Sequence, residues 1–383
     1  MSSSFATKFA IPEIIFGNGS INHLASCARG LGARRILLVS DQGVEDAGWV
    51  QVVMDILDQN SLECVYFNEI DSNPRDSQVH AGLEIYLAEG ADVIVALGGG
   101  SPMDTAKGIG IIAGNGGNIS DYEGANRIKR PLPPMIFAPT TAGSGSDMTQ
   151  YSIITDVSRQ VKMTVISRSL VPNISIIDPT MLRTKTEELI IASAVDALAH
   201  AVESYVSRLS SPFTDHHALQ AIRLFVENLE RAVEYRDPKA LEQLSIASTA
   251  AGMSFSNAGL GALHSLAHSL GGMFDVLHGL VHPILLPAVM RFNMPHSLEK
   301  MAVIGRILLG PCPHSDEYAA EEGIHQLETL FKSLNVPTRL GEILPDPEVL
   351  EPICKMAVYD ACTLTNPCDV TWEDLQSICK EAW

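Results

Sequence analysis

The sequence predicts an α/β fold in the first half of the chain and an all-α fold in the second half. In the first half, short apolar runs rich in Val and Ile alternate with helical lengths and end at glycine or polar residues. Uninterrupted apolar runs of this kind are typical of parallel strands with helices on both faces. After Asp178-Pro179 the chain becomes rich in alanine and leucine and has few β-branched runs. We therefore expect an α/β domain over residues 1–185 and a helical domain over residues 186–383.

Four apolar runs in the first half are predicted as strands, and polar or glycine-rich turns follow them. These turns lie at the carboxyl ends of the strands, which is where open α/β sheets bind their ligands. The predicted strands are Arg35–Ser40, which ends at Asp41; Cys64–Phe67; Ala91–Leu97, which ends at Gly98-Gly99-Gly100; and Pro134–Ala138, which leads into the turn 139–146.

Five stretches of the second half are predicted as helices, because they are long, rich in alanine and leucine, and poor in β-branched runs. No internal repeat and no low-complexity segment interrupts them. The predicted helices are Glu187–Arg208, Thr214–Tyr235, Pro238–Ser256, Gly261–Leu270 and Met301–Leu308.

Composition and charge narrow the classes of partner. A chain of 383 residues accommodates two or three domains of ordinary size. Its 26 Lys and Arg against 45 Asp and Glu give a net charge of −19, which repels nucleic acid and anionic membrane surfaces. We find no secretory signal and no apolar run of the roughly 18–20 residues that cross a bilayer. The seven cysteines form no close-spaced motif, so we expect a reducing, cytoplasmic location.

The glycine turn at residues 98–101 suits a phosphate group. It follows a predicted strand and opens a predicted helix that contains Asp104. Glycines allow close approach of the backbone, and a helix N-terminus offers free N–H groups. Met103 stands where the dinucleotide fingerprint requires its third glycine, so the turn does not match that motif. A tight structural turn, in which Asp104 stabilises the first helical turn, is the alternative.

Two more strand ends offer groups that are compatible with a dinucleotide. A carboxylate at Asp41 can accept hydrogen bonds from both ribose hydroxyls, and its charge repels a 2′-phosphate, which favours NAD over NADP. The turn from Thr140 to Ser146 offers four hydroxyls and two glycines. Taken singly, a residue such as Asp41 is more often part of a turn, and a segment such as Thr140–Ser146 is more often a solvated loop. The three strand ends together favour a dinucleotide site.

A cluster of histidines lies in the second half, where residues 264–282 contain four of the twelve in the chain. His264 and His268 are four residues apart and share one face of a predicted helix. We expect Gly271-Gly272 to end that helix and His278-Gly279 to begin a turn that folds back. An isolated histidine here would more often be a satisfied core residue.

A second pair of metal-ligating side chains, Asp196 and His200, lies upstream on one helix face. One oxygen and one nitrogen from this helix, with two imidazoles from residues 264–282, would close three or four positions on Zn²⁺ or Fe²⁺. A buried hydrogen bond between Asp196 and His200 is the alternative, but both segments together favour a metal. Glu203 lies on the same face as Asp196, and we expect it to be solvated rather than to support the ligands.

Four motifs occur in order along the chain: Gly98-Gly-Gly-Ser-Pro-x-Asp104-x-Ala-Lys107, Pro139-Thr-Thr-Ala-Gly-x-Gly-Ser146, Asp196-Ala-x-x-His200-Ala-x-Glu203, and His264-x-x-x-His268-x-Leu-Gly271 followed by His278-Gly279. Together they resemble the motifs of the iron-containing (group III) alcohol dehydrogenases. The likeness runs from about Phe5 to Pro367. His282 is a departure, because the family more often has Asn there, and its imidazole can compete for a metal.

The resemblance implies a role for each group of residues. Asp196, His200, His264 and His278 would bind the metal, which is Fe²⁺ or Zn²⁺. His268 would lie in the cleft without binding the metal and would act as a catalytic residue that passes the released proton outward. The residues that would contact NAD are Asp41, Asn73, Gly98, Gly99, Gly100, Ser101, Asp104, Thr140, Thr141, Ser144, Thr149 and Lys162.

The resemblance also implies an activity. The first domain would bind NAD, the second would bind the metal, and hydride transfer in the cleft between them would interconvert small primary alcohols and aldehydes. A homodimer or larger homo-oligomer is expected. A polyol dehydrogenase of the same architecture and a catalytically silent NAD- or metal-binding protein are the alternatives. Dehydroquinate synthase shares the fold, but residues 251–286 lack the Lys and Arg that its anionic substrate needs.

Overall fold

The computed structural model describes residues 8–276, 278–310 and 313–383, so Phe5, where the likeness begins, lies outside the described residues. The described part of the chain contains strands β1 (Glu13–Phe16), β2 (Arg35–Val39), β3 (Glu63–Phe67), β4 (Val93–Gly98), β5 (Gly124–Ala125), β6 (Met135–Pro139), β7 (Tyr151–Asp156), β8 (Val161–Ile166) and β9 (Ile174–Ile177).

Six of these strands form a parallel sheet in the order β1-β9-β6-β4-β2-β3. The other three form a small sheet in the order β5-β8-β7, in which β7 and β8 are antiparallel. In the large sheet β2 and β4 are neighbours, so the turns that follow Val39 and Gly98 lie side by side at one edge. The predicted parallel sheet is therefore confirmed, and its strand ends converge as expected.

The helices in the described residues are α1 (Leu24–Gly30), α2 (Gln42–Asp46), α3 (Trp49–Gln59), α4 (Asp76–Ala88), α5 (Gly100–Asn115), α6 (Glu187–Val206), α7 (Pro212–Glu234), α8 (Pro238–Ala258), α9 (Ala262–Phe274), α10 (His278–Leu309), α11 (Asp316–Ser333), α12 (Leu350–Ala357) and α13 (Trp372–Glu381). Helices α6 to α13 make up the second half, in which no strand occurs among the described residues. The fold class predicted from the sequence is confirmed, while the domain boundary at residue 185 stays a prediction.

The large sheet is buried on both faces. Ile36 and Leu38 of β2 join a hydrophobic core with Leu24 of α1 and Leu57 of α3. The intervening residues of β2 join a second core, which includes Ile109 of α5. Because successive side chains of a strand point to opposite faces, a strand between two helical layers must be apolar throughout. This requirement explains why β2 is predictable as an uninterrupted apolar run.

Helix α6 forms the centre of the second half. Contrary to our expectation, it is long and apolar enough to cross a membrane by length and composition. However, 83% of its most apolar window is buried inside the protein. This burial is typical of a core helix, and the residues of α6 pack against α7, α8 and α10.

Our prediction that Gly271-Gly272 ends a helix is wrong. Helix α9 continues to Phe274 and ends at Asp275, whose φ of 53° is left-handed. An ideal Cβ built on Gly271 would lie 2.7 Å from Nζ of Lys162, and one built on Gly272 would lie 3.3 Å from a backbone oxygen near β8. The two glycines therefore allow α9 to pass close to β8 and do not terminate it.

The prediction of a turn at His278-Gly279 is also wrong, because α10 begins at His278. Predicted helix Met301–Leu308 is the last part of this helix, which contains Pro283, Pro287 and Pro295 and has a non-helical residue at Ser297. Prolines inside a helix remove backbone hydrogen bonds, which is why the sequence does not reveal the full length of α10.

Candidate metal and nucleotide site

Three helices bring five metal-ligating side chains together in the second half. Helix α6 supplies Asp196 and His200, α9 supplies His264, and α10 supplies His278 and His282. Atom Oδ1 of Asp196 lies 3.6, 3.7, 3.9 and 3.5 Å from Nε2 of His200, His264, His278 and His282, respectively. One carboxylate oxygen is therefore surrounded by four imidazole nitrogens.

The cluster contains buried polar atoms that have no hydrogen-bond partner among the described residues. They include Oδ1 of Asp196, Nε2 of His264, Nδ1 of His200 and of His278, and both ring nitrogens of His282. An unsatisfied buried donor or acceptor costs about 1–3 kcal/mol. The ligand atoms of Asp196, His264, His278 and His282 all lie within 4.8 Å of one another. Residue types, burial and unused lone pairs thus fit a divalent cation.

The protonation states favour metal binding. Burial raises the pKa of Asp196, but the nearby His200 and His264 outweigh it and hold this pKa below its usual value. Burial lowers the pKa of His200 to about 3, against the opposing effect of Asp196. Burial and the neighbouring imidazoles lower the pKa values of His278 and His282 well below the usual range. The site therefore offers an ionised carboxylate at Asp196 and neutral imidazoles at His200, His278 and His282.

Glu203 supports this cluster and is not solvated, so our expectation for this residue is wrong. Its side chain is 2% exposed, and Oε2 lies 2.6 Å from Nδ1 of His264. The backbone N–H groups of Gly261 and Leu263 donate to the same carboxylate at 3.0 and 2.8 Å. Against the effect of burial, Asp196 and Glu203 raise the pKa of His264 to about 9. Glu203 holds the proton on Nδ1, which turns Nε2 towards Asp196.

His268 lies beside the cluster, but its partner is a different carboxylate. Its Nδ1 lies 2.9 Å from Oδ2 of Asp360, and its ring stacks on His278 with centroids 5.5 Å apart. The N–H of Cys362 donates to Oδ1 of Asp360 at 2.8 Å. Burial raises the pKa of Asp360, but His268 lowers it below the usual value overall. Asp360 was not among the predicted site residues, because it follows His268 by 92 residues and no local spacing links the two.

In the first half, the glycine turn faces the threonine-rich turn at very short range. An ideal Cβ on Gly99 would lie 3.3 Å from Oγ1 of Thr141, and one on Gly100 would lie 3.2 Å from Cβ of Ser144. Side chains at these glycines would fill the space between the two turns. Helix α5 begins at Gly100, so its free N–H groups open into this space. The two turns form a cradle that fits the phosphates of a dinucleotide.

Asp41 and Thr140 border this cradle. Oδ1 of Asp41 accepts a hydrogen bond of 2.9 Å from the N–H of Val44 and caps α2. Its Oδ2 faces Gly98, since an ideal Cβ there would lie 3.3 Å from it. Thr140 is fully buried, and its Oγ1 has no hydrogen-bond partner in the described part of the chain. Asp41 therefore has both the predicted position and a structural role as a helix cap.

Three other predicted contacts are already bonded within the protein. Asp104 accepts a hydrogen bond of 2.7 Å from Oγ of Ser146. Oγ1 of Thr149 lies 2.9 Å from Nζ of the fully buried Lys107, which donates to it. Ser101 donates to the carbonyl of Ser72 at 2.6 Å. These residues shape the cradle, and their contact with NAD stays a prediction.

Lys162 links the cradle to the metal cluster. Burial lowers its pKa to about 8, while the charges of Asp104, Asp275 and Asp196 act in the opposite direction. Asp275 also accepts a hydrogen bond from Nδ2 of Asn73. Lys162 and Asn73 therefore lie where the two halves of the protein meet, between the sheet edge and the histidines.

Comparison with known proteins agrees with this architecture. Residues 12–179 match the iron-containing alcohol dehydrogenase family, and residues 190–383 match the C-terminal part of the Fe-containing alcohol dehydrogenase family. The NAD-dependent methanol dehydrogenase of Bacillus methanolicus is 36% identical over 379 residues, which cover 98% of this chain and 100% of that protein. The 1,3-propanediol dehydrogenase of Citrobacter freundii is 35% identical, with 98% of each chain covered.

The solved structure of a 1,3-propanediol oxidoreductase superimposes with a TM-score of 0.96 at 34% identity, over 99% of this chain and 100% of that one. An alcohol dehydrogenase from Oenococcus oeni gives a TM-score of 0.95 at 34% identity, with the same coverage. Both halves of the chain thus match proteins of one kind. The chain belongs to the iron-containing alcohol dehydrogenase family, which confirms the predicted function as an oxidoreductase of the alcohol dehydrogenase class.

Proposed function

We propose that the protein oxidises small primary alcohols to aldehydes with NAD and a divalent cation, Fe²⁺ or Zn²⁺, in the cleft between its two halves. The observation that supports this most strongly is the buried oxygen of Asp196, which has four imidazole nitrogens at 3.5–3.9 Å and lies close to Lys162. A cation bound there would lie next to the cradle, so that an alcohol and a nicotinamide can meet.

The proposed metal ligands are Asp196, His200, His264 and His278. Once binding of the cation displaces the proton from Nε2 of His264, one carboxylate and three neutral imidazoles leave a divalent site with a net charge near +1. When bound, such a cation polarises the oxygen of an alcohol, while the nicotinamide takes up the hydride. The chain itself contributes orientation: Glu203 fixes the ring of His264, and the burial of the cluster excludes water.

The cradle would hold NAD by its phosphates and ribose. Backbone N–H groups at the start of α5 and the hydroxyls of Thr140, Thr141 and Ser144 are suited to the phosphates. Asp41 is suited to the ribose hydroxyls, and its charge disfavours the 2′-phosphate of NADP. Lys162 and Asn73 lie on the side of the cradle that faces the histidine cluster.

His268 would take the proton that the alcohol releases. Because Asp360 accepts the proton of Nδ1, Nε2 is left as the basic atom of the ring. We expect His268→Ala to slow turnover by about 10²–10⁴-fold, the usual contribution of a positioned general base, while metal content is preserved. Measured kcat and metal content test this together, and loss of the metal in the variant would contradict the assignment.

An apolar wall favours small, unbranched substrates. Phe255 stacks on His200 with ring centroids 4.1 Å apart, and it packs in a small hydrophobic cluster with Leu260 and Cys362. Relatives that act on methanol and 1,3-propanediol are consistent with short chains. Oxidation of a short diol is the second candidate, and it is favoured by the match to 1,3-propanediol oxidoreductase over the whole chain.

The test begins with protein purified without oxygen and analysed for metal. Reduction of NAD is then followed with a panel of short alcohols, diols and glycerol, and the variant Asp196→Ala serves as the control. We expect turnover that needs the metal and is greatest for a short primary alcohol. A metal-loaded protein that binds NAD but oxidises no member of the panel would contradict the proposal. Sedimentation of the same sample tests the homodimer or larger assembly that we also propose.

A further inference from the structure

We propose that His282 is an additional ligand of the same cation, so that the site consists of one carboxylate and four imidazoles. His282 lies one turn after His278 on α10, and both side chains point towards Asp196. The 3.5 Å between its Nε2 and Oδ1 of Asp196 is the shortest of the four imidazole distances. This inference deepens the proposed function, because it rests on the cation proposed there.

Burial alone does not explain this histidine. The side chain is fully buried, and neither ring nitrogen has a hydrogen-bond partner in the described part of the chain. Its neighbours along the helix, Val281 and Ile284, are equally buried and apolar. A core histidine ordinarily satisfies at least one nitrogen, since an unpaired buried group costs about 1–3 kcal/mol. A cation next to Nε2 supplies the missing partner.

Hydrogen bonding within the cluster does not explain the arrangement either. Charge-assisted hydrogen bonds from nitrogen to a carboxylate are about 2.7–2.9 Å long. All four nitrogens stand further than that from Oδ1 of Asp196, at 3.5–3.9 Å. Five donors that surround one ion at about 2.0–2.1 Å lie about 2.9–3.6 Å from their neighbours. The observed spacing is therefore closer to that of ligands around a common ion.

The mutual distances place His282 inside the ligand set. Its ligand atom belongs with those of Asp196, His264 and His278 to a group in which every pair lies within 4.8 Å. His200 completes the ring of nitrogens around Asp196 from the same helix. A fourth imidazole adds no charge to the site, but it makes the site richer in nitrogen. Nitrogen ligands favour Fe²⁺, Co²⁺ and Zn²⁺ over Mg²⁺ and Mn²⁺.

The test uses the full-length protein, stripped with a chelator and reloaded with Co²⁺ or Zn²⁺. The d–d absorption of bound Co²⁺ reports the number and geometry of its ligands, and competition with a chelating dye gives the affinity for Zn²⁺. For His282→Asn and His282→Leu we expect a changed Co²⁺ spectrum and a Zn²⁺ affinity lower by at least about 10-fold. Mutating even the residues that hydrogen-bond to metal ligands lowers metal affinity by that much, so the loss of a ligand itself should cost at least the same. Two different substitutions are used so that the test remains possible if one of the variants does not fold.

His268→Asn is the matched control, since it removes a neighbouring imidazole whose Nδ1 is bonded to Asp360. We expect its Co²⁺ spectrum and Zn²⁺ affinity to equal those of the unmodified protein. A folded His282→Asn with the unmodified Co²⁺ spectrum would overturn the inference, whatever its affinity for Zn²⁺. Alcohol oxidation by the unmodified protein would then still stand. Conversely, a changed spectrum in a protein that oxidises no alcohol would refute only the proposed function.

Discussion

Replacing Glu203 by Gln should weaken metal binding without removing any metal ligand. The carboxylate accepts three hydrogen bonds, from Nδ1 of His264 and from the N–H groups of Gly261 and Leu263. A glutamine amide keeps one oxygen and exchanges the other for a donor. Whichever way the amide is turned, at least one backbone N–H at the start of α9 loses its acceptor.

The size of the effect follows from these contacts. An N–H left without an acceptor costs about 1–3 kcal/mol, so we expect a loss of stability of that order in the metal-free protein. If the amide nitrogen faces His264, then Nδ1 must accept and Nε2 carries the proton, which removes its lone pair from the cation. Outer partners of metal-binding histidines contribute about 10–100-fold to metal affinity, equal to roughly 1.4–2.7 kcal/mol.

Zn²⁺ affinity by chelator competition and denaturant unfolding of the metal-free protein measure the two effects separately. The control is Glu188→Gln, in the exposed first turn of α6, the helix that also carries Glu203. This variant removes a charge but none of these hydrogen bonds, and it should change neither the Zn²⁺ affinity nor the stability. A Glu203→Gln protein with unchanged Zn²⁺ affinity would refute the argument that this carboxylate orients His264.

Three further predictions concern other parts of the fold. Gly99→Val should raise the KM for NAD by more than about 10-fold with metal content unchanged, because its side chain would collide with Thr141, 3.3 Å from an ideal Cβ. Asp41→Ala should raise kcat/KM for NADP relative to NAD, since a charge that repels the 2′-phosphate is removed. Gly305→Ala should lower the free energy of unfolding by about 1–3 kcal/mol, measured from denaturant midpoints. An ideal Cβ there would overlap the carbonyl oxygen of Ala319, where α10 and α11 touch.

Controls for these predictions come from the same elements. Gly110→Ala on α5 meets only ordinary contacts, the nearest being 3.5 Å away, and should leave the KM for NAD unchanged. Asp46→Ala, close to Asp41 in sequence but on the exposed end of α2, should not alter cofactor preference. An unchanged KM in Gly99→Val, or an unchanged midpoint in Gly305→Ala, would show that the backbone relaxes more than we assume.

The strands and the main helices were predictable because their burial produces a local pattern of apolar residues in the sequence. Strand β2 lies between two helical layers and must be apolar at every position, so its residues stand out. The pairs Asp196 with His200 and His264 with His268 were visible because ligands four residues apart share a helix face. Local spacing therefore pointed to Asp196, His200 and His264, which do converge on one point, and to His268, which lies beside them.

The features that the sequence did not reveal depend on contacts between segments that are far apart along the chain. Glu203 could be placed on the face of Asp196, but only its hydrogen bonds to the start of α9 show that it is buried and bonded to His264. Asp360 is separated from His268 by 92 residues and follows no spacing rule. Gly271 and Gly272 resemble a helix stop, because a glycine needed for close packing and one needed for termination look the same in a sequence.

The location of the cluster between α6, α9 and α10, in the core of the second half, has a consequence for the stability of the protein in a cell. Unpaired polar atoms in a hydrophobic core weaken the empty form, while each tenfold excess of free ion over its dissociation constant stabilises the loaded form by about 1.4 kcal/mol. The ion proposed here is thus part of the folding equilibrium as well as a reagent. In a cell that lacks this ion, the metal-free protein would unfold more often and be degraded by proteases. The amount of enzyme would therefore fall, and folded but inactive protein would not accumulate.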